Sequence, residues 1–406
     1  MPDKSFAYLV PQFPGQTHIF FWREIAALEA RGVTPALFST TLPPPGLISH
    51  PWSDQAMQRT TYLASRNPLR LLTMLPRLPW PAIIAEARRL PPAESRSFLR
   101  DVLISAPAAD VLAQSCKAQG VSHVHAHSCG RAALIAALAH HAHGLSYSLT
   151  LHGHLADYGT AQRFKWRHAA FVSVITQALK DLLPEQLGDA LPARLPLQPM
   201  GVDTDAFRRD APYQPPQPGE ALRLFSCGRL NIVKGHQDLM QAVRLMLDRG
   251  QPVTLDIAGE DDAGGSGYRA ELTAQIDQLG LGDHVRLLGA ISADAVRAHL
   301  LSAHAFVLAS WSEPLGVAYM EAMSCEVPTI GTAAGGVPEL ITDDHDGILV
   351  PPQDPQALAG ALMRLASDPD RAMRLARAGR ARVVESFDSR RGADMLIREI
   401  WPEAAA

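Results

Sequence analysis

The sequence is poor in cysteine and in aromatic residues, it lacks long apolar runs, and its charges nearly cancel. Four cysteines stand among 406 residues, with no CxxC pair, so we expect reduced thiols rather than a disulfide framework. No run of 18 uncharged apolar residues occurs, which excludes a membrane-spanning helix. A net charge of -4 argues against nucleic acid as a partner.

Two further absences concern targeting and cofactors. The first ten residues lack the charged start and apolar run of a signal peptide, so we expect a cytoplasmic protein. A dinucleotide-binding Rossmann protein needs G-x-G-x-x-G after its first strand. Phe6–Gln16 offers a single glycine, and this class is therefore discarded.

What the sequence does contain is a repeated alternation of short aliphatic runs with helical patterns. This alternation predicts parallel sheets covered by helices, and the length suggests two domains. The predicted strands are Phe6–Val10, Thr34–Phe38, His123–Ala126, Tyr147–Leu151 and Val172–Thr176, then Leu222–Cys227, Val253–Ala258, Val285–Leu288, Ala305–Ala309, Pro328–Gly331 and Ile348–Val350.

The alternation restarts once, near the proline-rich segment Tyr213–Gly219, which disfavours helix. We therefore predict an N-terminal domain at 1–204, a C-terminal domain at 205–385, and a C-terminal helix at 386–406 that crosses back to the first domain. Two doubly wound domains would face each other across a cleft, where ligands bind beyond the carboxyl ends of the strands.

An insertion at about residues 43–107 interrupts the first domain. Between Arg59 and Arg100 it carries eight arginines against two glutamates, interleaved with leucine, tryptophan and isoleucine. One interpretation is a surface that lies on an anionic membrane. The other is a helical insertion with a solvated basic face, and the sequence leaves both open.

The segment Ala309–Pro328 carries the most informative chemistry. It follows a predicted strand and opens a helix at about Leu315–Cys325, whose free N–H groups suit a diphosphate. Gly316 lets the backbone approach a ligand. Glu313 and Glu321 can each accept hydrogen bonds from neighbouring sugar hydroxyls.

The spacing E-x7-E in Glu313–Glu321 resembles the donor-site signature of the retaining GT-B glycosyltransferases of the glycosyltransferase 4 family (glycosyl transferases group 1). Further segments resemble that family's motifs in order: Met200–Phe207, Phe225–Gly235, Leu255–Glu260, Leu287–Gly289 and Gly331–Glu339. The resemblance implies an α/β fold of GT-B type with two Rossmann-like domains. It also implies an enzyme that takes a sugar from a nucleoside diphosphate.

The same resemblance implies roles for particular residues. Arg229 and Lys234 would bind the diphosphate; the alternative is ordinary loop solvation. Glu313 would be a catalytic residue that binds the donor sugar, and Glu321 would bind the ribose. The remaining donor-site residues implied are Pro314, Leu315, Gly316 and Val317, with Gly15 in the N-terminal loop.

That N-terminal loop, Phe13–Thr17, resembles the family's acceptor-side loop but departs from its common form. Here Gly15 is followed by Gln16, Thr17 and His18. This departure weakens any prediction of the acceptor from the loop.

Histidines cluster at 123, 125 and 127, at 140, 141 and 143, and at 152 and 154. A zinc site has to be weighed, but no cysteine or carboxylate cluster accompanies them. The resemblance instead singles out His152 as a catalytic residue that lines the reacting centre. The alternative is a surface loop histidine.

Metal and cofactor are not expected. Asp203-x-Asp205 has the spacing of a metal-binding DxD, but it precedes the linker, and we interpret it as a capping turn. Cations and helix donors would stabilise the leaving diphosphate instead.

The sequence therefore predicts a hexosyltransferase acting on a lipid-linked or growing saccharide in exopolysaccharide or lipopolysaccharide assembly, at the inner face of the plasma membrane. Two alternatives keep the fold: a nucleotide-sugar epimerase and a non-catalytic partner subunit. Retention could use a carboxylate nucleophile or front-face attack. The first-half motifs offer only the uncorroborated Asp157 for the former, so front-face attack is preferred.

Overall fold

The aliphatic runs form two parallel sheets, each within its own compact unit. The computed structural model describes residues 5–15, 19–43, 50–64, 68–217, 219–261 and 267–404. One unit is formed by 1–48, 52–199 and 392–406, and the other by the remaining residues, chiefly 200–391.

The first unit holds a six-stranded sheet in the order β3-β2-β1-β4-β5-β6. All its neighbouring strands are parallel. The chain order reverses between β1 and β4, which makes the carboxyl ends of these two strands the expected ligand position. The strands are β1 (Ala7–Gln12), β2 (Ala36–Thr41), β3 (Thr60–Tyr62), β4 (His123–His127), β5 (Ser146–Leu151) and β6 (Val172–Val174).

Helices cover this sheet, and their buried faces are apolar. In α6 every residue from Ala132 to Ala139 is buried, and the helix ends where Gly144 adopts a left-handed conformation, as helix-terminating glycines do. The helices are α1 (Ile19–Glu29), α2 (Ser53–Arg59), α3 (Pro68–Met74), α4 (Trp80–Ala87), α5 (Pro92–Ala118), α6 (Arg131–His143), α7 (Gln162–Trp166) and α8 (Gln177–Leu187).

The second unit repeats the plan, with six parallel strands in the order β12-β11-β10-β7-β8-β9. Here the reversal falls between β7 and β10. The strands are β7 (Leu222–Cys227), β8 (Val253–Ala258), β9 (Val285–Gly289), β10 (Ala305–Val307), β11 (Thr329–Thr332) and β12 (Ile348–Val350). The helices are α9 (His236–Asp248), α10 (Tyr268–Gln278), α11 (Ala293–Ser302), α12 (Val317–Ser324), α13 (Val337–Leu340), α14 (Pro355–Ser367) and α15 (Pro369–Ser386).

The last helix, α16 (Arg390–Ile400), belongs from Gly392 onward to the first unit. Ala393 and Leu396 are buried in the first unit's core. Ion pairs add to this packing: Arg31 Nη2 donates to Asp394 at 2.9 Å, and Arg194 Nη1 lies 3.0 Å from Glu399 Oε2.

The structure corrects three details of the predicted elements. The strand β3 was missed, because Thr60–Tyr62 is a three-residue edge strand inside a segment predicted to be helical. The strand β10 ends at Val307, two residues early. The helix α12 begins at Val317 rather than Leu315, because Gly316 has a φ of 96°, which is outside the helical range.

Candidate active site

Three loops meet at the carboxyl edge of the second sheet, where β7 and β10 lie side by side. The Trp311 N–H, in the loop after β10, donates to Val233 O in the loop after β7 at 2.8 Å. The Gly336 N–H, in the loop after β11, donates to Glu313 O at 2.8 Å. Backbone hydrogen bonds thus fix Glu313 between its neighbours at the point where the chain order reverses.

Two glycines allow these loops to approach so closely. Gly235 has a φ of 67°, and a Cβ there would lie 1.9 Å from Ala309 O. Gly335 has a φ of 60°, and its Cβ would lie 2.1 Å from Glu313 O. Both the backbone conformation and the space require glycine.

Lys234 and Glu313 form an ion pair at this edge. The Lys234 ammonium donates to Glu313 Oε2, and the two side chains are only 15% and 10% exposed. Ser310 donates its hydroxyl to the same oxygen at 3.2 Å. The site therefore holds a cation and a carboxylate together with little water around them, which strengthens their interaction.

Glu321 lies on α12, buried beside the end of β7, and is 7% exposed. Its effect is seen at Cys227, the last residue of that strand. Burial, together with the negative charge of Glu321, raises the pKa of the Cys227 thiol to about 12. The thiol therefore stays neutral, and Glu321 supplies the charge at this position.

Arg229 projects from the loop after β7 and is exposed. Behind it, His236 is fully buried, and its Nε2 lies 3.3 Å from Arg229 O. Burial lowers the pKa of His236 to about 4, so a neutral imidazole supports the arginine's backbone. His236 was not among the residues predicted for the site, although its place directly after Lys234 and Gly235 was a usable signal.

The start of α12 supplies N–H donors that the helix itself does not use. Pro314 is exposed and Leu315 is buried before the helix begins at Val317. Tyr319 anchors the first turn by donating its hydroxyl to Leu308 O at 2.6 Å. A Cβ at Gly316 would lie 2.3 Å from the Tyr319 ring, so this turn also requires glycine.

The structure thus brings together Arg229, Lys234, Glu313 and Glu321 with the loop before α12. The other two predicted site residues, Gly15 and His152, belong to the first unit. Gly15 follows β1, and His152 follows β5, both at the carboxyl edge of that sheet. Residues 16–18, where the N-terminal loop departs from the family's common form, lie outside the described residues.

Asp203 takes no part in this edge. Its Oδ1 accepts hydrogen bonds from the backbone N–H of Asp205 at 3.1 Å and of Ala206 at 2.9 Å. This is the capping turn that its position predicts. Across the described ranges, no group of three or more histidine, cysteine, aspartate or glutamate side chains is arranged to hold a metal ion.

Comparison with known proteins identifies the class. Residues 208–382 match the family model described as Glycosyl transferases group 1. This is the family that the resemblance predicted, and the matched residues lie within the second unit.

Two relatives illustrate the match. The amylovoran biosynthesis glycosyltransferase AmsK of Erwinia amylovora is 32% identical over 47% of this chain and 46% of its own. A GDP-mannose-dependent alpha-(1-6)-phosphatidylinositol monomannoside mannosyltransferase of Mycolicibacterium smegmatis is 28% identical over 64% of this chain and 72% of its own. This chain spans about half the length of most of the curated relatives it matches.

Solved structures confirm the predicted GT-B fold. Sucrose-phosphate synthase from Thermosynechococcus elongatus superposes with a TM-score of 0.73 at 21% identity, over 99% of this chain and 100% of that one. Anabaena Alr3699/HepE in complex with UDP-glucose superposes with a TM-score of 0.74 at 18% identity, over 98% of this chain and 99% of that one.

Proposed function

We propose that the protein is a retaining glycosyltransferase that moves a hexose-type sugar from a nucleoside diphosphate to an acceptor hydroxyl. The observation that carries the proposal is the shielded Lys234–Glu313 pair at the strand-order reversal, beside Arg229 and the start of α12. The relatives named as glycosyltransferases and the neighbour that binds UDP-glucose support it.

In this proposal each group has its own task. Arg229 and Lys234 neutralise the diphosphate, and the N–H groups at Gly316 and Val317 add neutral donors to it. Glu321 accepts hydrogen bonds from the ribose hydroxyls. Glu313 binds the donor sugar while its Oε2 stays paired with the lysine.

The reaction we propose is front-face attack. The acceptor oxygen bonds to the anomeric carbon on the face from which the bond to the diphosphate oxygen breaks. The departing diphosphate carries away the bonding electron pair and takes the proton of the acceptor hydroxyl. His152 lines the reacting centre. Asp157, the uncorroborated candidate for a nucleophile in the first-half motifs, is exposed on the 3₁₀ turn Leu155–Tyr158.

The test uses a panel of nucleotide sugars. A true donor should raise the melting temperature of the full chain with the logarithm of its concentration, and Lys234→Met and Glu321→Gln should abolish that rise. The NMR spectrum of the product should show the anomeric configuration of the donor. An inverted product, a trapped glycosyl–enzyme adduct, or an epimerised sugar formed from donor alone would each overturn the proposal.

We further propose a lipid-linked or growing saccharide as the acceptor, in exopolysaccharide or lipopolysaccharide assembly, with the insertion resting on an anionic membrane. Exposed apolar side chains lie along its helices: Leu69 and Leu72 are 67% and 62% exposed on α3, and Ile84 is 43% exposed on α4. Exposed arginines, including Arg77 and Arg88, accompany them. None of the helices within the described part of the chain is long and apolar enough to cross a membrane.

Vesicle sedimentation tests the membrane proposal. The wild-type chain should bind phosphatidylglycerol vesicles, with binding weakened by salt, and should bind neutral phosphatidylcholine vesicles much less. Replacing Leu69 and Leu72 with serine should reduce binding, whereas Val384→Ser, at an exposed apolar residue on α15 outside the insertion, should not. Equal binding by both variants would contradict the proposal.

A further inference from the structure

A cavity of about 210 Å³ opens in the first unit between the insertion and the end of α6. Glu86 on α4 lines one side of it, and His141 on α6 and Phe164 on α7 line the other. The helix α6 starts at the carboxyl edge of the sheet, after β4, and His141 lies in its last turn, roughly 15 Å along the axis. The cavity therefore lies towards the opposite edge of the sheet from Gly15 and His152.

Glu86 is the buried acid of this cavity. It is 6% exposed, and among the described residues none donates a hydrogen bond to its carboxylate or forms an ion pair with it. Lys165 is close enough for its ammonium to sense the charge of Glu86, but that ammonium donates to Tyr158 O at 3.0 Å instead. Because a buried carboxylate without a partner is costly, this group indicates an occupant that brings hydrogen-bond donors into the cavity.

Two histidine rings of the same cavity also lack hydrogen-bond partners in the part of the chain that the structure describes. His141 and His168 pack edge to face, with centroids 4.8 Å apart. Burial, together with the neighbouring histidines, lowers the pKa of His141 to about 4, and burial also lowers the pKa of His168. Both rings are therefore neutral near pH 7, and each offers one donor and one acceptor to an occupant.

The charged groups that line the cavity balance one another. The carboxylates of Glu86 and Asp189 are matched by the guanidinium groups of Arg89 and Arg167, and Arg167 Nη2 already lies 2.9 Å from Asp189 Oδ2. A site without net charge gives no electrostatic preference to an anion or to a cation. The occupant that suits this lining is therefore neutral.

The remaining walls are apolar and small. Phe164 is buried, and its ring stacks on His141 with centroids 5.6 Å apart, while Ala82 and Ala85 line the α4 side. The volume is below the roughly 300–1,000 Å³ of pockets for drug-sized ligands, which suits a single small ring. A sugar ring combines an apolar C–H face with a rim of hydroxyls, each of which both donates and accepts.

We propose that this cavity is a saccharide-binding site apart from the donor site, and that it holds one neutral hexose unit. The apolar face of the sugar packs against Phe164. Its hydroxyls donate to the carboxylate of Glu86 and exchange hydrogen bonds with the rings of His141 and His168. Apolar walls with a few placed polar groups are what small-molecule pockets present. The proposal goes beyond the transfer reaction, because this binding needs neither the donor nor the second unit.

The experiment titrates the full chain with methyl α-glucoside, methyl α-galactoside and methyl α-mannoside, and follows the histidine ring signals by NMR. At least one hexoside should shift the signals of His141 and His168 until they saturate. The signals of His123, whose ring nitrogens lie beside the hydroxyls of Ser146 and Ser148, should not move.

A matched pair of variants tests the role of the buried acid. Glu86→Gln should raise the dissociation constant of the hexoside about tenfold, which is the loss expected for one hydrogen bond to a charged group. Glu94→Gln, at the other glutamate of the insertion and exposed on α5, should bind as the wild type does. Lys234→Met, at the donor site, should also keep hexoside binding, so that this proposal and the proposed function can fail separately.

Inorganic phosphate is the second probe, and it should leave the rings of His141 and His168 unshifted. If phosphate moves these signals and no hexoside does, the cavity binds an anion and the proposal is wrong. The absence of any saturable shift with the three hexosides would overturn it as well. So would a Glu86→Gln variant that binds the hexoside as tightly as the wild type.

Discussion

Replacing Gly235 with alanine tests the close packing on which the donor site depends. Gly235 caps the N-terminus of α9, and Gly250 follows its C-terminus; both have positive φ, at 67° and 79°. A Cβ at Gly250 meets nothing within 4 Å, whereas one at Gly235 lies 1.9 Å from Ala309 O. Gly250→Ala is thus a matched control for the backbone strain alone.

The expected magnitudes follow from this difference. The left-handed conformation costs an alanine about 1 kcal/mol, which both variants share. At Gly235 the two loops must also separate by roughly 1.1 Å to reach the 3.0 Å below which real contacts are essentially never seen, and overpacking of this kind costs about 1–3 kcal/mol more. A displacement near 1 Å at a reacting site can also slow turnover roughly 10²-fold.

Thermal melts and transfer rates of the two variants measure these effects. For a unit of this size, Gly250→Ala should lower the melting temperature by roughly 2–4 °C and leave transfer nearly unchanged. Gly235→Ala should lower the melting temperature about two to four times as much, and it should lose most of its transfer activity and donor binding. If the two variants behave alike in both assays, the close approach of the loops after β7 and β10 is not what organises the site.

Three further predictions concern charge. Lys234→Met and Glu313→Gln should each lower the free energy of unfolding by about 2 kcal/mol, because each leaves a shielded charge unpaired. Urea melts should show that the double variant recovers part of the summed loss. If the two losses add without any recovery, the pairing is contradicted. Burial lowers the pKa of His236 to about 4, so the unfolded imidazole binds a proton first, and the unfolding free energy should fall as pH drops from about 6.5 towards 4; an identical pH profile in His236→Gln would refute this. Chelation of divalent ions should leave the transfer rate unchanged, and a loss that added Mg²⁺ restores would show a metal requirement.

The two sheets were predictable because their strands are short aliphatic runs separated by helical patterns, and that signal is local. Leu222–Cys227 and Val253–Ala258 match the observed strands residue for residue. Thr60–Tyr62 was not predictable in this way. It is a three-residue edge strand that depends on pairing with β2. Its two threonines and one tyrosine suit a strand, but so short a run does not stand out between helical segments.

In the candidate site, too, the residues that follow a local pattern could be predicted and those that depend on pairing in the folded structure could not. Glu313 and Glu321 were readable because their spacing is a pattern along the chain. The partners of the clustered histidines were not readable, because they depend on strand register. The pairing of β4 with β5 sets His123 and His125 opposite Ser146 and Ser148, while Glu24 reaches His127 from α1. The alternating histidines therefore resembled a metal site in sequence, although His123 and His125 are hydrogen-bonded to serine and threonine hydroxyls of β5.

Binding of a nucleoside diphosphate sugar to the second sheet's carboxyl edge is the central claim, and calorimetric titration tests it most directly. At least one of UDP-glucose, UDP-galactose or GDP-mannose should bind the full chain with one-to-one stoichiometry. Binding should be lost in Lys234→Met and Glu321→Gln, and kept in Asp203→Asn. Equal binding by the wild type and both site variants, or no binding by any of the three sugars, would contradict the account.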